Sequence, residues 1–570
     1  MTKAIASSLV AAVILLFGSL DHAAAQDAGF DIARFQVEGN TILPAQTVEA
    51  LVAPFAGKGK VYGDVQKALE ALEGEFRRLG YGTVNVYVPE QELTSGVVRL
   101  VVSEGVVGKV TITGNKFFDE ENVRASLPNL KEGVAPNMRQ LSENIQLSNE
   151  NPAKQVEVTL AVSEEEGKVN ARVDVKEEDP SRFYVTLDNT GNKATGYARL
   201  GVSYQNANLF NRDQVLTLAY TTAVDPPGRM KIGGRRVLPW HTDGDGVKVD
   251  IVSIGYRLPL YSLGDSIDFI YANSSTNTPS VSPTLGGGLG INGKGDIFSL
   301  RYNHNFARAG EYTSKAVLAY DYKYLNNTCS IAGIKTPFGS AGCTPFTLRP
   351  ISGTYSGQWQ KPGENIDFYV SAVKNIPMGA DYPFPGPSDP QDNYSAASGY
   401  KVRDDYSVLR AGASYFAAVG GDWLLRAALN GQYAHHGLPN VEQFGLTGWT
   451  TVRGFNERAI ARDRGYVVNL EVYTPDLAAI MGINGSFKLL GFYDAAQGFS
   501  YNVTPGALAP ATNRHVGVAS AGVGLRYNLK KDISARFDVA RVVDGFTPNG
   551  LATVQSDGMY RGHVGVAFGF

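Results

Sequence analysis

From about residue 182 to the C-terminus, apolar and polar positions alternate with a period of two. In RDQVLTLAYTT, Leu216, Leu218 and Tyr220 fall on one face, with Thr217, Ala219 and Thr221 on the other. In ISARFDVAR, Ile533, Ala535, Phe537 and Val539 oppose Ser534, Arg536 and Asp538. This period predicts strands, beginning near residues 182, 196, 212, 247, 267, 297, 314, 348, 366, 404, 423, 465, 487, 516, 533 and 558. Short turns (FNRD, YSLGDS, RAGE, KPGEN, VGGD, LKKD) alternate with long links at 224–246, 279–296, 328–347, 378–403 and 438–464. A membrane barrel has short turns at one end, long loops at the other and its apolar face turned outward. The expected fold is therefore an all-β transmembrane barrel of about 16 antiparallel strands over residues 181–570. An even strand number brings both ends of the barrel to the short-turn side.

Ahead of residue 180 the texture is mixed. ARFQVEGNTILPAQTVEALVAPF predicts a strand, a Gly39-Asn40 turn and a helix from about Pro44; a second helix carries Val65, Leu69, Leu72 and Phe76 and stops at Gly80. TVNVYVPEQEL and GVVRLVVSEG complete the order β-α-α-β-β. The order restarts at KVTITGNKFF with Gly114-Asn115, and continues through the helix NMRQLSENIQLSNEN to the strand pair QVEVTLAVSE and KVNARVDVKEE. Repetition at domain length implies two copies of one module, over 30–106 and 107–180.

Residues 1–25 read as a signal peptide: Lys3, an apolar run from Leu9 to Leu20, and Ala23-Ala24-Ala25 before a cut at Gln26. No later run is long and apolar enough for a membrane helix. A net charge of −3 argues against a nucleic-acid partner. Cys329 and Cys343 lie close together in a polar segment, and in an oxidising compartment they are expected to close a loop disulfide. GLGINGKG nearly matches a phosphate-binding loop, but it ends on Gly295 and no helix follows. His435 and His436 have no metal-ligand spacing, and alternation would put them on opposite faces of a strand. With no G-x-S-x-G motif either, no enzyme, metal or cofactor is expected.

The modules resemble POTRA domains, on the order of their elements and the recurring Gly-Asn entry. The tetrad Val452-Arg453-Gly454-Phe455 on the sixth external loop, counting the link between the first two strands, and Gly491-Phe492-Tyr493-Asp494 on the thirteenth strand extend the likeness. Essentially the whole mature chain then resembles the two-partner secretion transporters, the haemolysin and filamentous-haemagglutinin secretors. That resemblance implies an outer-membrane barrel with POTRA domains in the periplasm. Its partners would be a secreted exoprotein, bound through its N-terminal secretion domain, outer-membrane lipid, and the assembly machinery that reads a closing strand ending in Phe568 and Phe570. Two alternatives share features with it: an assembly insertase of the same superfamily, which usually carries more POTRA modules, and a passive porin, in which tandem modules would have no purpose. Family members often carry an N-terminal plug helix, and the few residues between Gln26 and the first strand leave no room for one.

Within this frame, alternation puts Phe492 and Asp494 on one face of the thirteenth strand and Tyr493 on the other; Glu471 shares the corresponding face of the twelfth. If that face is lumenal, a loop folded inward pairs Arg453 with Asp494, and with Glu471 as the weaker partner. Gly454 would supply a tight turn, and Phe455 a wedge against the wall.

Overall fold

In the computed structural model of the chain, the first module runs β1 (Arg34–Glu38), α1 (Ala45–Val52), α2 (Tyr62–Leu79), β2 (Asn85–Tyr87) and β3 (Val97–Ser103), and carries besides a short antiparallel strand pair, Phe30–Ile32 with Gly57–Lys60. The second repeats this order with β4 (Val106–Thr113), α3 (Glu120–Ser126), α4 (Met138–Asn149), β5 (Lys154–Val162) and β6 (Lys168–Glu177). The structure describes residues 29–92, 96–191, 196–224, 249–274, 295–325, 345–377, 402–501, 514–546 and 557–570, with isolated residues between them. The signal segment and the cysteines Cys329 and Cys343 lie outside the described residues, as does most of GLGINGKG. Two compact units are present. One comprises the chain up to Lys109 with Glu132–Met138 and Val162–Asn170; the other comprises Val110–Lys131, Arg139–Ala161 and Ala171–Phe570.

The repeated Gly-Asn pair has a geometric reason. Gly39 and Gly114 hold φ of 79° and 87°, and a side chain on either would collide with a carbonyl oxygen, that of Val102 or Val175. Asn40 then accepts from the Leu43 N–H at 2.9 Å, and Asn115 donates to the Phe118 carbonyl at 3.1 Å, turning the chain towards its helix. A glutamate at the end of each module takes the N–H groups of the turn: Glu104 those of Thr41 and Ile42, Glu177 those of Lys116 and Phe117. In α2 the residues Val65, Ala68, Leu72 and Phe76 form the buried stripe, and the helix ends on left-handed Gly80. The sheets are ordered β1-β3-β2, with β1 parallel to β3, and β4-β6-β5.

The barrel follows. Its strands are β7 (Ser181–Asp188), β8 (Arg199–Leu209), β9 (Gln214–Ala223), β10 (Asp250–Leu260), β11 (Asp265–Ser274), β12 (Gly295–Asn305), β13 (Tyr312–Leu325), β14 (Phe346–Leu348, then Pro350–Lys361), β15 (Glu364–Asn375), β16 (Ser407–Val419), β17 (Trp423–Ala434), β18 (Arg464–Tyr473), β19 (Ser486–Phe499), β20 (His515–Leu529), β21 (Ile533–Asp544) and β22 (Tyr560–Gly569). Each pairs antiparallel with its neighbour, and β22 returns to β7 to close the barrel at sixteen strands, counting β14 once. The break in β14 coincides with Pro350, which cannot donate to the ladder. Every expected strand is present within a few residues of its predicted start. The alternation gives no hint of one feature: the link between β18 and β19 carries a short helix, α5 (Ala478–Met481).

The faces separate as a membrane barrel requires. Leu218, Tyr220, Phe269, Leu318, Val523 and Phe537 are exposed on the outer wall, while Thr217, Asn469, Asp494 and Asp538 are buried inside. A sandwich would invert this distribution. Among the described residues no helix is long and apolar enough to cross a membrane.

Within the second unit, α3, α4 and β5 dock on the short-turn end of the barrel. Lys154 Nζ pairs with Asp213 and lies 3.1 Å from Asn122 Oδ1; both Lys154 and Asp213 side chains are buried. Tyr261 donates to Asp213 Oδ2 at 2.6 Å. Asn122, Asn144 and Asn151 donate to the carbonyls of Asn211, Tyr261 and Ala207 at 2.9, 2.6 and 2.7 Å. Burial pulls the Lys154 ammonium below the ordinary lysine range, against the attraction of Asp213. A buried pair of this kind adds little net stability, but losing one partner is strongly destabilising. Lys154→Met or Asp213→Asn alone leaves a buried charge or polar group without its partner, and for the stranded charge the expected cost is about 3–5 kcal/mol. Hydrogen exchange at the Asn122 and Asn151 amides should accelerate in each single variant. The paired variant Lys154→Met with Asp213→Asn, which keeps a residue tolerant of the left-handed backbone at 213 (φ 57°) and an acceptor for Tyr261, should recover most of the loss, and unchanged exchange in the single variants would remove the ion pair from the docking account.

Candidate functional site

The link from β17 to β18, loop six, turns back into the barrel because its apolar residues find an apolar wall there. Leu446, Val452, Phe455 and Ile460 of the loop pack on inward-facing Val467, Ala496, Val516, Val518 and Val542. Phe455 is fully buried, which contributes about 1.5–3 kcal/mol by area. Gly454, with φ of 94°, lets the chain reverse against β21, where a Cβ would stand only 3.3 Å from that of Ala540. Its N–H donates to His563 Nε2 on β22 at 2.9 Å.

The reversal carries Arg453 into a socket built from two adjacent strands. Asn469 faces Asp494 across the β18–β19 ladder, and Glu471 faces Phe492, so these four inward side chains form the corners of a square. The guanidinium lies over the Phe492 ring, 3.5 Å from its centroid. Nε and Nη2 donate to the two oxygens of Asp494 at 2.7 and 2.8 Å, and the Arg453 backbone N–H adds a third bond at 3.2 Å. Nη1 stands 2.9 Å from Glu471 Oε1 and 3.8 Å from Asp538 Oδ2, an ion-pair approach out of hydrogen-bond alignment. Asn469 donates to Asp494 Oδ1 and to the Thr451 carbonyl, both at 2.8 Å, tying the socket to the loop. Only arginine offers a planar face for a ring and a fork for a carboxylate at once.

The structure thus brings together Val452, Arg453, Gly454, Phe455, Asp494, Glu471 and Phe492. It does not bring in Tyr493, which is 45% exposed on the outer wall, nor Phe568 and Phe570, which are exposed at the closing strand. His435 and His436 lie past the end of β17 at Ala434, and both are exposed; the expected alternation fails because the strand has already stopped.

Other members of the network escaped the sequence. Asp538 accepts from Arg526 at 2.7 and 3.1 Å and from Arg536 at 2.8 Å, and Arg426 Nη1 donates to Glu471 at 3.0 Å. Arg536 also donates to the Trp449 carbonyl at 2.8 Å, while the Trp449 ring occupies the space beside Gly565 that a side chain would fill. The parity of Ser534, Arg536 and Asp538 was a usable signal for this wall; His563 carried none. Nearer the loop's base, Glu442 bonds Lys323 on β13 at 2.7 Å and Arg410 on β16 at 2.8 Å, so loop six bridges the lumen. No group of His, Cys, Asp and Glu among the described residues is arranged to hold a metal ion.

Arg453→Lys keeps the charge but loses the fork and most of the stacking, whereas Phe492→Leu removes only the ring, worth about 0.5–2 kcal/mol. Hydrogen exchange across Val452–Phe455 should therefore rise more in the lysine variant than in the leucine variant. The reverse order would make ring stacking the main restraint.

Comparison with known proteins agrees with this architecture. The family model for the haemolysin secretion/activation protein ShlB/FhaC/HecB matches residues 167–527, and that for the ShlB-type POTRA domain matches residues 30–105. The outer membrane transporter CdiB of Dickeya dadantii is 22% identical over 465 residues, covering 76% of this chain and 71% of the relative. The solved structure of CdiB from Escherichia coli aligns with a TM-score of 0.67 at 18% identity, covering 97% of this chain and 93% of that one. That of CdiB from Acinetobacter baumannii gives 0.65 at 15%, covering 95% and 90%. The chain belongs to the ShlB/FhaC/HecB haemolysin secretion/activation family: it is an outer-membrane two-partner secretion transporter that translocates a partner protein, with its POTRA region in the periplasm.

Proposed function

We propose that the partner crosses through the barrel lumen as an unfolded chain, and that loop six is the stopper it must displace, held by the Arg453–Asp494 contact. The observation that carries this reading is the burial of Arg453, 1% exposed, in a two-bonded contact inside a barrel whose outer wall is apolar. A barrel of sixteen strands is wide enough for an aqueous path once its interior is cleared. The POTRA modules receive the N-terminal secretion domain of the client by strand addition at the outer strands of their sheets, β1 and β2 in the first module, β4 and β5 in the second. The client's folding outside the cell supplies direction. Phe568 and Phe570 on the closing strand serve recognition by the assembly machinery.

The contact is strong enough to hold and weak enough to yield. Breaking it in a dry interior costs about 3–5 kcal/mol, because one charge is left alone. A client chain that brings water into the lumen lowers that cost. Asp494→Asn keeps the shape of the socket and removes its charge. In cells it should reduce secretion of the partner at least about tenfold while the amount of assembled, heat-modifiable barrel stays within about twofold, tenfold corresponding to 1.4 kcal/mol. In planar bilayers the same variant should open more often than the parent protein. Normal export by both Asp494→Asn and Arg453→Gln would refute the stopper reading.

A further inference from the structure

On the outer wall, at the end of the barrel that carries the long loops, one row of side chains crosses four neighbouring strands at a single level. Phe499 faces Arg464 in the β18–β19 ladder and His515 in the β19–β20 ladder. Tyr433 sits beside them at the end of β17, next to Gln432, which pairs with Gly465. The row shares the parity of Leu429, Leu470, Tyr493 and Val523, all exposed, so it faces the membrane. The Arg464 guanidinium lies over three rings, 4.4 Å from the centroid of Phe499, 5.1 Å from that of Tyr501 and 5.8 Å from that of Tyr433. His435 packs on Tyr433 at 4.8 Å and His515 on Phe499 at 4.7 Å, so an imidazole flanks the arginine on either side. Both histidines are exposed.

No carboxylate among the described residues forms an ion pair with Arg464. Elsewhere on the same rim the polar groups satisfy one another: Tyr271 and Asn273 both donate to Asp296, at 2.9 and 2.8 Å. A cation at the edge of the hydrocarbon layer costs only about 0–1 kcal/mol, and an anion there would satisfy its N–H groups. The rings attract it from their faces and fix its height at the interface, but they leave its N–H edges without acceptors. With the POTRA region in the periplasm, the long-loop end of the outer wall faces the outer leaflet.

We propose that Arg464, with His435 and His515, binds the phosphate of an outer-leaflet glycolipid. The fork of the guanidinium suits two phosphate oxygens, and the ring nitrogens on either side supply further donors. The row spans three strand spacings, about 14 Å, enough for sugars as well as the phosphate they carry. The contact fixes this sector of the barrel, the one bearing the loop-six socket on its inner face, to the surrounding lipid.

The test uses the full chain in detergent micelles, with lipid A as the probe and binding read by native mass spectrometry. Arg464→Gln should weaken lipid A binding at least about tenfold, as expected for loss of a charged hydrogen-bond donor, and Arg464→Lys by less. Dephosphorylated lipid A should bind the parent protein as weakly as lipid A binds the glutamine variant. Heat-modifiable mobility checks that each barrel is folded. If the Arg464→Gln barrel fails that check, His435→Ala with His515→Ala carries the test, with a loss of about threefold or more expected from the removal of two donors. Three outcomes overturn the proposal: unchanged affinity in the variant that folds, equal binding of both lipids by the parent, or complete displacement by millimolar inorganic phosphate, which would assign the row to a soluble anion.

Discussion

A strand facing hydrocarbon has no water to satisfy its backbone, so the sheet must close on itself. Everything else in this barrel follows from that requirement. Closure puts lipid on one face of every strand and the lumen on the other, and the period-two alternation is the chemical record of that division. It also makes the lumen the only place where charged side chains of the spanning strands can gather. Asp494, Glu471 and Asp538 are buried there, with Arg426, Arg526 and Arg536 supplied by the same walls.

Loop six belongs to the chemistry of that interior. Its apolar residues are buried as a core would bury them, and its arginine completes a charge network that the wall begins. Desolvation makes such pairs poor sources of net stability, but a misplaced partner is heavily penalised, so they select one position of the loop over others. The same physics operates at the short-turn end, where Lys154 and Asp213 orient the second module. The chain thus uses buried ion pairs inside the lumen and at its short-turn end for placement, and hydrophobic contacts for adhesion.

The barrel was legible because alternation survives in every strand, and the modules because the order of elements repeats with the Gly-Asn turn; the glutamate that takes the N–H groups of each turn was seen only in the structure. The Arg453 socket was legible in part. Phe492, Asp494 and Glu471 follow from parity once the inner face is known, and the tetrad from family likeness. Parity also puts Asn469 and Asp538 on the inner face without naming their partners, whereas His563 was hidden for a physical reason: only closure of the sheet brings β22 to the same loop as β18, although almost 100 residues separate Asn469 from His563. Parity shows which side a residue faces, but not which distant residue waits on that side. The lipid-facing row at Arg464 was missed because its meaning lies across strands, in the registers of three ladders.

The bond from the Gly454 N–H to His563 has a consequence for the order in which the protein is made. Loop six emerges well before the last strand, yet its seat is assembled from β18, β19, β21 and β22. The seat is not complete until the last strand has been laid in place. The β18–β19 part of the seat follows directly after the loop in the chain, whereas the bond from Gly454 requires the closing strand, so full docking of the loop and closure of the cylinder coincide.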